Sequence, residues 1–464
     1  MRFIADLHTH SRYSRATSKD MSLEGLWKWA QLKGITVIGT GDFTHPKWSQ
    51  ELKEKLEVIG NNLFKLKHKF QKNDIPESCR ADVLFMLTAE ISCIYKKNGR
   101  VRKIHNLVFV PDLSSATKIT TALSKIGNLS ADGRPILGFD AKKLLKIILD
   151  ISAEAILVPA HAWTPHFSVF GAVSGFDSLE ECFEELAPYI YSVETGLSSD
   201  PPMNWRLSSL DHITLISNSD AHSPAKLGRE ANIFDFSDTP ESPNTPLWKM
   251  DNPPNPPLVK GGEGGLFTKG GKGGINKEIS YENIINAIKT KNGFLGTVEF
   301  FPEEGKYHYD GHRFCGISLS PKETIKHNYL CPVCGKRVTV GVMHRVEKLA
   351  DRADGFRPEG APLYYSTIPL CEIVAETLKV GVNSKAVMAE YFKLLKNLGN
   401  EYKILMDVSV PDIESAGSPV LSEAISRVRS GNVYIEPGFD GRYGKIKIFE
   451  EVERKEITGQ GMLF

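Results

Sequence analysis

Short apolar runs alternate with longer amphipathic stretches through the first half of the chain. "ITVIGTGDF" (35–43), "VLFMLTAEIS" (83–92), "IHNLVFV" (104–110), "AILVPAHAW" (155–163), "YSVETG" (191–196) and "ITLISNSDAH" (213–222) have the length and β-rich content of buried strands. Apolar residues at helical spacing fill the intervals, over 23–33, 48–69 and 141–151. This alternation predicts an α/β domain over 1–302, built on a parallel sheet or barrel. The stretch 238–278 is rich in Pro and Gly and has no period, so it reads as a disordered insertion. Order resumes with a helix and a strand in "ISYENIINAIKTKNGFLGTVEF". A cysteine-containing module follows over 303–345, then a mostly helical domain over 346–450 and a polar tail over 451–464. "VYIEPGFDGRYGKIKIF" (433–449) predicts a β-hairpin.

Composition narrows the function classes. Hydrophobic residues make up 41% and charged residues 24%, ordinary soluble usage. The formal net charge is +1, so affinity for nucleic acid would need local patches. Neither a signal peptide nor an uninterrupted apolar span is visible, and 7 sparse cysteines argue against a disulfide framework. A reducing cytoplasm is the expected location. No phosphate loop of the form G-x-x-x-x-G-K-[ST] occurs, which argues against a nucleotide-driven motor.

The ends of the predicted strands carry the chemistry. "DLHTH" places Asp6, His8 and His10 at alternate positions, which on a regular strand would share one face. "GTGDFTHP" adds Asp42 and His45. Glu90, His105 and His161 close or open three further runs, and "SDAH" supplies Asp220 and His222. A lone H-x-H is more often a solvated strand edge. So many histidines and acids at buried strand ends need partners, and metal ions would supply them.

This ordered set resembles the PHP family of metal-dependent phosphoesterases, named for polymerases and histidinol phosphatases, over residues 1 to 302. The resemblance implies a distorted (β/α)7 barrel holding two or three divalent ions, Zn, Mn or Mg, with neutral imidazoles favouring a transition metal. It assigns His8, His10, Glu90 and Asp220 to one ion, and these four to catalysis. Glu90 would bridge to a second ion held by His105 and His161. Asp42 or His45, with His222, would hold a third. The sequence departs from the family in two places: "SRYSRAT" after the H-x-H lacks a further His or Asp, and Phe43 stands where a His commonly follows the acid.

In the next segment Cys331-Pro-Val-Cys334-Gly has the form of a zinc knuckle, and His312-x-x-Cys315 repeats the spacing upstream. These four form a candidate structural zinc site, with His327 the alternative to His312. The basic residues around it, Arg313, Lys336, Arg337, His344 and Arg345, suit contacts to DNA phosphates. The loop 163–176 carries Trp163, Phe167 and Phe170 as candidates to stack a base.

With "FFPEEGKYHYDGHRFCG" and "GVMHRVEKLADR" added, nearly the whole chain resembles the endonuclease Q family of DNA repair nucleases. That resemblance implies hydrolysis of the phosphodiester on the 5′ side of uracil, hypoxanthine, xanthine or an abasic site in single- or double-stranded DNA, leaving a 3′-hydroxyl and a 5′-phosphate. The alternatives are a PHP phosphatase for small monoesters and a non-catalytic DNA-binding adaptor. The terminal "QGMLF" resembles peptides that bind the bacterial β sliding clamp, with Gln460, Leu463 and Phe464 as anchors. Docking of these residues back onto their own domain is the other reading.

Overall fold

The computed structural model describes residues 1–237, 278–450 and Glu453. The predicted insertion, apart from residue 278, and the anchors Gln460, Leu463 and Phe464 lie outside the described residues. No helix among the described residues is long and apolar enough to cross a membrane.

The fold is α/β with a mixed, 11-stranded sheet at its centre. Strand β1 (Arg2–Asp6) pairs in parallel with β2 (Val37–Gly39), and β2 with β3 (Leu84–Lys97). Strand β4 (Arg100–Val110) then returns antiparallel to β3, and β5 (Ile156–Pro159) runs antiparallel to β4. Strands β6 (Ser192–Glu194) and β7 (Thr214–Ile216) form a parallel pair. The Ala162 amide donates to the Glu194 carbonyl at 2.9 Å, and a bridge from Thr9 to Ala221 joins the end of β7 to the continuation of β1. Backbone hydrogen bonds thus run round a ring, with the chain's ligand-type residues at one rim.

The parallel order expected of the sheet breaks at β3 and β4. Their 97–100 connection is Asn98-Gly99, both left-handed at φ 51° and 72°. An Asn-Gly pair in this conformation closes a tight hairpin and forces the antiparallel return. The helix expected over 48–69 is also shorter. It spans Pro46–Lys55, and a small antiparallel pair, Leu56–Val58 with Phe64–Leu66, follows. Asn61 and Asn62 turn that pair with φ of 39° and 54°. The predicted helices at 23–33 and 141–151 form as Leu23–Lys33 and Ala141–Ile151, capped by Ser22 and Asp140.

Outside the ring, β8 (Ala231–Asp235) pairs with β1, and β9 (Phe294–Glu299) pairs with β8, both antiparallel. Leu363–Ser366 adds in parallel to β9, so the C-terminal region contributes a strand to the central sheet as well as its helices. Phe3, Ala5, Leu7, Met86, Leu107, Val158 and Ile216 pack inside with the helix Tyr281–Thr290, whose Tyr281, Ile284, Ile285 and Ile288 are buried. This apolar plug leaves the opposite rim for polar side chains. Tyr434–Glu436 and Lys445–Lys447 form the expected hairpin.

Candidate active site

On β3, Leu84, Met86, Thr88 and Glu90 follow one another at two-residue steps, so the run that fills the core ends in a carboxylate at the rim. On β4, His105 precedes Leu107 and Phe109 by the same rule. His161 and Asp220 lie just beyond β5 and β7, at positive φ of 31° and 46°. Non-glycine residues in this region cost free energy and mark positions that the surrounding structure dictates.

Glu90 joins two groups of ligand atoms. Its Oε1 lies 2.6 Å from His105 Nδ1 and 3.1 Å from His161 Nε2. Its Oε2 lies 3.4 Å from His10 Nε2 and 3.7 Å from His8 Nε2. Asp220 Oδ1 sits 3.0 Å from His10 Nε2 and 3.5 Å from His8 Nε2. The ligand atoms of His8, His10, Glu90 and Asp220 all fall within 4.8 Å of one another, as do those of Glu90, His105 and His161.

The donor set fits a pair of divalent cations. The Nε2 of His8 is buried, faces Glu90 and Asp220, and has no hydrogen-bond partner among the described residues, an arrangement that a cation would complete. Burial opposes charge on every group here, and the partners decide the outcome. Glu194 and Asp220 outweigh burial to raise the His8 pKa, and Asp220, Asp42 and Glu90 do so for His10. Against the same burial, the histidines hold Glu90 and Asp220 well below the usual carboxylate range. His105 is pushed down by burial despite Glu90. The ionised carboxylates suit a divalent ion, and an ion bound there would displace the protons that the raised pKa values favour on His8 and His10.

The histidines are oriented from behind. Both oxygens of Glu194 meet His8 Nδ1, at 3.0 and 3.1 Å, and Glu194 also accepts from the His161 amide. Asp42 meets His10 Nδ1 at 3.2 Å and is itself held by the hydroxyls of Ser11 and Ser14. Thr164 Oγ1 lies 3.1 Å from His161 Nδ1. Such contacts fix a ligand's ring and tautomer.

The remaining ligand-type residues make other contacts. Asp6 is buried but turns away, accepting from the amides of Ser219 and Gly228, because β1 ends at Asp6 and its alternation does not continue to His8. Asp42 orients His10. His45 stacks on Tyr13 with ring centres 4.6 Å apart. His222 Nδ1 lies 2.9 Å from the backbone carbonyl of Asp220. Among the described residues, none of Asp42, His45 and His222 joins a group of three or more close ligand atoms.

The sequence assigns no role to two residues that the structure places at the site. Glu194 ends a predicted strand, and only its position behind His8 reveals its use. Arg134 lies in a loop with no motif, yet its Nη1 sits 3.2 Å from Glu90 Oε2. Gly133 lets that loop cross Asp42: a Cβ there would lie 2.2 Å from the Asp42 Oδ2.

The second cluster joins His312, Cys315, Cys331 and Cys334, whose ligand atoms also fall within 4.8 Å. His312 Nδ1 is 3.6 Å from Cys334 Sγ, whereas His327 caps the helix Pro321–Lys326 and is not in the group. Burial would raise the Cys331 thiol, but the amides of Cys334 and Val333 face its sulfur and bring its pKa below the ordinary value.

The candidates for DNA contact divide by burial. Trp163 and Phe170 are each 1% exposed, pack against each other, and belong to the core. Apolar spacing in a loop cannot distinguish a stacking platform from a buried plug. Arg345 is buried and donates to the carbonyls of Phe170 and Phe176 and to Asp177, so it fastens the loop in place. His344 pairs with buried Asp310. Phe167 is half-buried with its ring 4.6 Å from that of His105. Arg313, Lys336 and Arg337 are exposed.

A cavity of about 690 Å³ opens beside the rim. Its lining includes Thr164, His166, Leu197, Arg229, Glu304, Lys306, Tyr307, His308, Thr339, Val340 and Tyr443. Burial pushes His308 down to about 4, leaving a neutral imidazole whose Nδ1 has no hydrogen-bond partner among the described residues. Burial and the charge of Glu372 push Glu304 up to about 7.

Comparison with known proteins places this geometry. The crystal structure of the lesion-specific endonuclease PfuEndoQ from Pyrococcus furiosus matches with a TM-score of 0.78 and 28% identity, covering 100% of both chains. The chain resembles endonuclease Q from end to end. A complex of endonuclease Q with a 27-mer duplex carrying an abasic lesion at its active site also matches, with a TM-score of 0.75 and 28% identity over 97% of this chain and 98% of that one. A family profile described as the MJ0043 C-terminal domain matches residues 369–432. Protein MJ0043 of Methanocaldococcus jannaschii is 31% identical over 303 residues, 64% of this chain but 33% of that protein, so the chain spans about a third of that relative. Protein YqxK of Bacillus subtilis is 27% identical over 96% of this chain and 98% of its own. The endonuclease Q likeness thus takes in the ring, the cysteine cluster and the C-terminal helices together.

Proposed function

We propose that the protein is a metal-dependent DNA repair endonuclease. It hydrolyses the phosphodiester on the 5′ side of a deaminated base or an abasic site and leaves a 3′-hydroxyl and a 5′-phosphate. The observation that carries this reading is the shared carboxylate of Glu90, which joins two ligand groups beside a cavity large enough for a nucleoside. The cavity volume falls within the ~300–1,000 Å³ typical of small-molecule sites. The likeness to an endonuclease Q bound to lesion-bearing duplex supports the same assignment.

In this reading the ring is a distorted (β/α)7 barrel. His8, His10, Glu90 and Asp220 hold one divalent ion, Zn, Mn or Mg, and Glu90, His105 and His161 hold the second. Bound there, the ions would acidify a water and neutralise charge on the phosphate. The chain's own groups do the rest. Glu194, Asp42 and Thr164 keep the imidazoles aimed at the centre, and Arg134 supplies a guanidinium to a phosphate oxygen. The extruded base enters the cavity beyond Thr164, where neutral His308 can hydrogen-bond it. Damaged or mismatched bases leave the stack at lower cost, which favours lesions. His312, Cys315, Cys331 and Cys334 hold a structural zinc.

The test is incubation of the purified protein with Mn²⁺ and duplexes carrying one deoxyuridine, deoxyinosine or abasic site. A single nick 5′ to the lesion, with ligatable 3′-hydroxyl and 5′-phosphate ends, is expected. Release of phosphate from small monoesters without nicking would assign the site to a phosphatase instead.

A further inference from the structure

Phe314 stands at the tip of the turn between two clustered ligands. His312 and Cys315 bracket Arg313 and Phe314, and Cys331 and Cys334 bracket Pro332 and Val333. Each turn pushes its apolar member outward: Phe314 is 81% exposed and Val333 67%. The rings of Phe314 and His312 lie 5.9 Å apart, and the exposed ring sits between two residues of the ligand cluster. A phenyl group exposed to water contributes nothing to the core, and its placement calls for an apolar partner.

The surroundings of that ring favour a nucleic acid. The Arg313 guanidinium lies 5.0 Å from its centre, and Lys336 and Arg337 are exposed on the same module. The nearby carboxylate of Asp440 is already engaged, accepting from the Arg313 amide and the Thr339 hydroxyl. That contact ties the module to the loop carrying Tyr443, which is 68% exposed. Tyr443 has Lys306 within 5.6 Å of its ring, and both line the cavity that begins at Thr164. An exposed aromatic with a guanidinium against its ring, on a module that also exposes Lys336 and Arg337, matches bases within a phosphate backbone.

We propose that Phe314 inserts into the base stack of duplex DNA beside the lesion. It fills the gap that the extruded base leaves and holds that base in the cavity. Apolar wedges flanked by cations unstack base steps in this way in other DNA-binding proteins. The inference rests on the reading of the protein as a DNA lesion endonuclease, and it adds the group that drives extrusion.

The experiment compares full-length wild type, Phe314→Ala and Phe314→Trp on a duplex carrying one deoxyuridine opposite 2-aminopurine, whose fluorescence rises on unstacking. Phe314→Ala is expected to lose the fluorescence rise and to nick the paired lesion about tenfold more slowly or worse. Its nicking of the same lesion in single-stranded DNA stays within about twofold of wild type, because no stack must be opened. Phe314→Trp keeps both signals. Wild-type nicking of the duplex by Phe314→Ala would overturn the inference, as would an equal loss on single and double strands at an unchanged melting temperature. If wild type nicks no substrate, the endonuclease reading falls, and the fluorescence difference between wild type and Phe314→Ala still decides the insertion.

Discussion

Both carboxylate oxygens of Glu194 lie within hydrogen-bonding distance of His8 Nδ1, at 3.0 and 3.1 Å, and Glu194 is fully buried. This leaves Nε2 of His8 as the nitrogen facing the candidate metal centre. Partners of this kind set a ligand's tautomer and basicity, and losing one weakens metal binding by roughly 10–100-fold. Glu194→Ala should therefore bind Mn²⁺ at least about tenfold more weakly in calorimetric titration. Unchanged affinity would show that Glu194 is only a packing residue.

Glu299 makes a pH prediction away from the metal ligands. It accepts from the hydroxyls of Thr195 and Ser217 through Oε2, while Oε1 has no hydrogen-bond partner among the described residues. Burial pushes its pKa from 4.5 up to about 8. An acid raised on folding stays protonated in the folded state after the unfolded chain has released its proton. Stability is therefore lost as pH rises through that window, by at most about 1.4 kcal/mol per pH unit. Glu299→Gln keeps the acceptor and removes the titration. Its melting temperature should fall less between pH 5.5 and 8 than that of wild type. Equal falls would mean that Glu299 is ionised in the folded protein.

The cysteine cluster predicts a separate loss. Cys331→Ala removes one of four converging ligand atoms, and structural zinc contributes folding free energy directly. Elemental analysis should find about one tightly held zinc fewer per chain than in wild type, with melting at a lower temperature. The same zinc content in both proteins would rule out the site.

Trp163 tests a reassigned role. Its indole donates to Asn204 at 2.8 Å and is 1% exposed. Trp163→Ala should cost roughly 3–5 kcal/mol of stability, measured by denaturant unfolding. A variant of normal stability that has lost only DNA binding would restore Trp163 as a stacking residue.

The six residues of the bridged ligand groups were legible because each sits at the end of an apolar run, where a histidine or acid has no reason to be without a partner. The role of Glu194 was not. An orienting carboxylate differs from a ligand only by which atom it faces, and no spacing encodes that. Asp42 and His222 carry ligand-like patterns yet serve to hold or flank His10. The Asn98-Gly99 turn was visible as a hairpin signal, but two long apolar runs beside it read equally well as separate parallel strands. Burial of Trp163, Phe170 and Arg345 depends on a loop folding inward and docking on the helix Val342–Leu349, a contact between segments more than a hundred residues apart.

The central claim is that the bridged His, Glu and Asp groups perform phosphodiester hydrolysis at a lesion. The most direct measurement compares wild type with Asp220→Asn, at matched Mn²⁺ loading, on a duplex carrying one abasic site. Asp220→Asn is nearly isosteric, so the fold should melt as wild type does, while nicking 5′ to the lesion should fall roughly a hundredfold or more. Wild-type turnover by the folded, metal-loaded variant would contradict the assignment of the site.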